Sequence, residues 1–256
     1  MRDIMLKLFG TTDGVEITLF SIWHILYIIL IVGLTIGAAY LLRNKSQTTK
    51  EKTLKIIAYF AIALYIADFF IQPLSRDSFD MDVDKLPFHI CTLTACFIPF
   101  AQFNKKFDKI KDVISCFAIV APLMYITYPG SALGGVSFYS YKVVQTFVFH
   151  GLVFAWGVLS LTTGFSKLEF KKIWKELVGL VIIALWAGFG NAAYSHEGHH
   201  FDWFFITGST FPFVPSWLMP FVVITAVFGM CAIIFSIDLL VKKQLAKKST
   251  VTVKEN

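Results

Sequence analysis

What constrains this chain most is the rhythm of its apolar stretches. Seven of them occupy residues 18–42, 55–74, 86–103, 110–128, 141–162, 172–194 and 217–240. Each is near the roughly 20 residues that carry a helix across a hydrocarbon core. The connections between them alternate in charge. Arg43, Lys45, Lys50, Lys52 and Lys55 follow the first stretch, and Lys105, Lys106, Lys109 and Lys111 follow the third. Lys167, Lys171, Lys172 and Lys175 follow the fifth, and Lys242, Lys243, Lys247, Lys248 and Lys254 follow the last. Together these are 18 of the 23 lysines and arginines; Arg2, Lys7, Arg76, Lys85 and Lys142 fall on the other side. Basic residues concentrate in cytoplasmic loops, so the pattern places the N-terminus outside and the C-terminus in the cytoplasm. The expected fold is all-α: a polytopic membrane protein of the cell membrane, a seven-transmembrane helix bundle, N-out/C-in. It forms a single transmembrane domain over residues 1–256. The first stretch has no small-residue cleavage site after it and is expected to be retained.

Composition agrees. Hydrophobic residues make up 56% and charged residues 16% of the chain, whereas a soluble domain carries about 25% charged residues. The short alternating segments of a membrane barrel are not seen. The net charge of +6 then reads as a topology signal. Membrane lipids are the expected partners, and nucleic acid is not.

Polar groups inside a span are costly and usually face a cavity or a partner. Here they are His24, Asp68, His89, Cys91, Gln145, His150 and Asn191. In the expected topology all of them fall in the outer half of the bundle. A polar cavity opening toward the outer leaflet follows; the alternative is ordinary polarity near helix ends. Cys91 and Cys96 are five apart on one helix, about 7.5 Å along its axis, beyond disulfide reach of about 7 Å. With Cys116 and Cys231 they read as buried free thiols. His89 and Cys91, two apart, point to different faces. Cys91 shares a face with Thr94, and Tyr65, Asp68 and Gln72 form one stripe. Any Cys–His pair must therefore be built between helices.

A thiol in apolar surroundings is poorly ionised and becomes a nucleophile only with a base beside it. His150 lies at a depth comparable to that of Cys91. Asp68 is placed to orient a histidine, as in a catalytic triad. Asn191 or Thr94 is placed to donate to an oxyanion. The rival reading is a hydrogen-bonded network that locks the bundle. On the outer side, His196, Glu197 and His200 satisfy H-E-x-x-H, a zinc pattern only when it lies on a helix. This one follows a helix end and contains Gly198, so metal there, zinc included, is a weak expectation. Two other outer loops, an acidic one with Asp77, Asp80, Asp82 and Asp84 and a glycine-rich one around 130–135, read mainly as surface.

At Leu86-Pro87-Phe88-His89-Ile90-Cys91-Thr92-Leu93 the chain resembles the bacterial YwaF-like proteins, grouped with the eukaryotic transmembrane protein 164 acyltransferases. Phe149-His150-Gly151-Leu152 and Gly190-Asn191-Ala192-Ala193-Tyr194 agree with it, and the resemblance runs from the first helix to the last. It implies a lipid acyltransferase with Cys91 as nucleophile and His150 as partner. Ping-pong transfer of this kind needs no cofactor. The histidines at 196–200 are a departure from the family pattern. Two other readings stay open: a small-molecule transporter or receptor with a polar outer cavity, and a metal-binding protein acting through the 196–202 loop.

Overall fold

The computed structural model describes residues 15–74, 83–129, 137–196, 200–207 and 214–254. Asp77, Asp80, Asp82, the glycine-rich stretch 130–136 and Glu197 lie outside the described residues, as does the side chain of Gln72. Seven α-helices are present among the described residues. They are α1 (Ile22–Leu42), α2 (Gln47–Leu74), α3 (Ile90–Phe103), α4 (Lys111–Thr127), α5 (Tyr141–Thr162), α6 (Trp174–Tyr194) and α7 (Met219–Lys254). Glu16 and Ser137 form an isolated antiparallel bridge.

The helix starts follow ordinary capping chemistry. The Ser21 and Ser140 hydroxyls accept from the N–H groups of His24 and Val143, opening α1 and α5. This satisfies backbone donors that a helix leaves unpaired in its first turn. Ser46 Oγ accepts from Thr49 N–H at 3.2 Å at the start of α2.

α4 and α5 are the most enclosed helices and form the axis of the bundle. Their backbones approach closely at Gly157, where a Cβ would lie 2.8 Å from Ile119 Cγ1 and 2.9 Å from the Ala118 carbonyl carbon. One turn on, Ser160 Oγ donates to Ser115 Oγ at 2.9 Å. Small residues and a buried hydroxyl pair are how helices associate where lipid removes the hydrophobic drive between them. α1, by contrast, leaves Ile22, Leu26, Ile29, Leu30, Leu34 and Ile36 exposed along its length. An apolar face of that size is untenable in water and matches the hydrocarbon of a bilayer.

Among the described residues, six helices are long and apolar enough to cross a membrane. The chain is a multi-pass membrane protein of helical architecture. The third stretch departs from expectation. It was expected to be helical over 86–103, but the helix is only the 14 residues Ile90–Phe103. Val83–Lys85 form a 3₁₀ turn, and Phe88 N–H turns back onto Leu86 C=O at 2.8 Å. Pro87 has no N–H, and it biases Leu86 away from helical geometry. His89 is left extended as the N-cap of α3 (φ −81°, ψ 149°).

Candidate functional site

The turn before α3 is held from three sides. Asp68, 2% exposed on α2, accepts from Lys85 Nζ at 2.6 Å and from Tyr141 Oη at 3.0 Å. Tyr65, one turn before Asp68, donates its hydroxyl to the Lys85 carbonyl. Trp186 Nε1 on α6 donates to Pro87 C=O at 2.9 Å. Gly190 lets Phe88 lie against α6: a Cβ there would sit 2.6 Å from two ring carbons. Lys85 read in the sequence only as an outer-side charge. No local signal showed that it neutralises Asp68, because the partners are far apart in the chain.

Cys91 is buried in the first turn of α3. The earliest regular backbone bond there is Leu93 N–H to His89 C=O at 2.9 Å, and His89 provides no side-chain cap. The N–H groups of Ile90, Cys91 and Thr92 are the first-turn donors that no preceding helical carbonyl can reach. Thr94, one turn along, is also buried.

Three histidines lie at this end of the bundle, and their hydrogen bonds differ. His24, fully buried, uses both ring nitrogens: Nδ1 accepts from Phe20 N–H at 3.0 Å, and Nε2 donates to Ile126 C=O at 2.8 Å. It fastens α1 to α4 and has no nitrogen left for chemistry. His89 Nδ1 accepts from Phe204 N–H at 3.3 Å, so its proton sits on Nε2. His150 is the reverse. Its Nδ1 lies 2.8 Å from the Thr146 carbonyl, which can only accept, so Nδ1 carries the proton and Nε2 presents a lone pair. The ring lies flat on Tyr125, centroids 3.9 Å apart at 4°, with Phe149 edge-on at 5.0 Å.

These groups form a continuous set. Tyr65 stacks on Phe149 at 5.8 Å, which carries the Asp68–Lys85 pair to the flank of His150. Tyr125, beneath His150, packs against the apolar cluster that contains Cys91. Lys85 and His89 are both within electrostatic reach of His150. Gln145 is buried and accepts from Thr146 Oγ1 at 3.4 Å. The aromatic neighbours Tyr65, Tyr125 and Tyr141 were not singled out as a group, since tyrosine is common in membrane helices.

Asn191, one of the two expected oxyanion donors, is engaged with the outer loop. Its Oδ1 accepts from Trp203 N–H at 2.8 Å, and its Nδ2 donates to Trp203 C=O at 3.3 Å. It clasps the outer loop onto the end of α6. Trp203 Nε1 reaches on to Asp84 C=O at 3.4 Å, closing the loop over the turn before α3. Phe201, Phe88 and Tyr194 surround the Trp203 indole. α6 ends at Tyr194 with Ser195 extended. His196 therefore lies past the helix, its Nδ1 3.1 Å from Tyr194 C=O, and both it and His200 are exposed. Among the described residues no group of three or more His, Cys, Asp or Glu is placed to hold a metal ion.

Two of the stretches that carry the family resemblance thus meet in space: the turn at 86–91 packs on Gly190 and, through Trp203, shares the Asn191 clasp; His150 of the third lies within electrostatic reach of His89. Neither a curated protein nor a solved structure matches the chain. The TMEM164 family model matches residues 19–238, from the turn before α1 well into α7, and the chain therefore belongs to the TMEM164 family.

Proposed function

We propose that this chain is a membrane-embedded acyltransferase of the cell membrane that moves lipid acyl groups through Cys91 and His150. The observation that carries the reading is the His150 hydrogen bond to Thr146. It fixes the tautomer that a general base needs, with the proton on the anchored nitrogen and the lone pair on the other. Family membership supports it, as does the placing of Cys91 among the first-turn N–H groups of a helix start.

The chemistry balances without a cofactor. His150 Nε2 takes the thiol proton as Cys91 Sγ attacks an ester carbonyl of a lipid. The tetrahedral oxyanion is met by first-turn N–H groups of α3. The leaving alkoxide recovers the proton from His150, and a lysolipid departs from a Cys91 thioester. An acceptor hydroxyl then gives its proton to Nε2 and takes the acyl group, restoring the thiol. Water in that place makes the same site a hydrolase.

The proposal includes seven spans in the N-out/C-in sense, with α3 as the short one. The basic ends of α1, α3, α5 and α7 then all face the cytoplasm, and the Cys91–His150 end faces outward. The test is acyl exchange between lipids in proteoliposomes, combined with trapping of a thioester. Cys91→Ala is expected to abolish both. Undiminished exchange in that variant overturns the assignment.

A further inference from the structure

The opposite end of the bundle holds a second polar site. A cavity of about 580 Å³ opens where Lys105–Ile110 lead into α4, beside the α5–α6 connection. Five lysines line it: Lys109, Lys111, Lys167, Lys172 and Lys175. Only three carboxylates share the lining, and each is already paired. Asp108 takes Lys111 at 2.7 Å, Glu169 takes Lys172 at 2.6 Å, and Asp112 takes Lys175 at 2.9 Å. Lys109 and Lys167 make no ion pair among the described residues, so the lining keeps two uncompensated positive charges.

Two further atoms ask for a ligand. Ser166 lines the cavity, is 5% exposed, and its Oγ has no hydrogen-bond partner among the described residues. Asp112 uses only one carboxylate oxygen on Lys175, and its Oδ1 is buried without a partner among the described residues. Buried polar atoms in folded proteins are almost always satisfied. Two lysines ask for an anion, Ser166 Oγ offers a hydrogen bond, and Asp112 Oδ1 can only accept one. A bare phosphate meets the first requirement, and a phosphate esterified to glycerol, with hydroxyls for both Ser166 Oγ and Asp112 Oδ1, meets all three.

We propose that this cavity binds a glycerol-phosphate group, the headgroup of an anionic phospholipid. Lys109 and Lys167 meet the phosphate, and Ser166 and Asp112 read the glycerol hydroxyls. The site is independent of the acyl-transfer reading and stands if that reading fails.

The test uses the full-length protein in detergent, titrated with short-chain phosphatidylglycerol, phosphatidic acid and phosphatidylcholine, and with free glycerol phosphate. Saturable binding of phosphatidylglycerol is expected, with none of phosphatidylcholine. A lysine near an anionic headgroup contributes about a fivefold factor, so K109Q/K167Q should weaken binding by roughly 25-fold. K50Q/K52Q, at the start of α2 on the same basic side, should leave it unchanged. Ser166→Ala should lower the preference for phosphatidylglycerol over phosphatidic acid while leaving phosphatidic acid binding intact. Free glycerol phosphate that binds with the same variant pattern, without the lipid doing so, supports the site and assigns it a soluble ligand. Unchanged binding in K109Q/K167Q, or an equal loss in K50Q/K52Q, overturns it.

Discussion

His24, His89 and His150 share a residue type and a depth, yet only His150 is proposed as a base. The difference lies in which backbone group each nitrogen meets, and no sequence pattern encodes that. Their depth was legible, because polarity in an apolar stretch stands out. The tautomers of His24 and His89 were not, because Ile126 and Phe204 are 102 and 115 residues away from their partners; that of His150 rests on Thr146, four residues back on the same helix, and shows only once the ring is seen turned onto that carbonyl. The contrast gives two predictions. His150→Gln should lower acyl-transfer rate by roughly 10²–10⁴-fold, the usual contribution of a general base, with its folding unchanged in a thermal melt. His24→Ala should do the opposite. It strands the buried Ile126 carbonyl, costing about 1–3 kcal/mol, and should show as a lower melting temperature with whatever protein remains folded still active.

At the level of elements, the six long helices could be read from apolar length alone. α3 was misjudged at its start: hydropathy registers that 86–89 are apolar but not that Pro87 turns them. The clasp between the end of α6 and the outer loop was also hidden. Asn191 looked like a donor for chemistry, whereas its two arms meet the N–H and the C=O of Trp203. Asn191→Ala should leave a buried Trp203 N–H unpaired, costing about 1–3 kcal/mol. The expected readout is faster proteolysis of the loop at 200–207 and a lower melting temperature. Gly190→Ala should push Phe88 off α6 at a cost of about 1–3 kcal/mol, typical of overpacking. Both variants should also disturb Cys91 labelling by thiol reagents, since the turn at 86–89 leads directly into its helix.

For the molecule as a whole, the division of charge between the two ends gives a topology prediction. A reporter fused at the C-terminus should be active on the cytoplasmic side, and one placed in the 200–207 loop should be active outside. The opposite result would reverse the proposed orientation and with it the leaflet that supplies substrate.

The shortness of α3 has a consequence for the membrane itself. Fourteen residues rise about 21 Å at about 1.5 Å each, against about 30 Å of hydrocarbon. A bilayer meets a short wall by dimpling toward it. In the proposed seven-span arrangement, phospholipid next to α3 is drawn inward, and its ester linkages descend toward the helix start that carries Cys91. Host bilayer thickness becomes a control variable. Acyl exchange should be fastest in bilayers of short-chain phosphatidylcholine and fall as the chains lengthen, at constant headgroup. An unchanged rate across the series would show that lipid esters reach Cys91 without deformation of the bilayer.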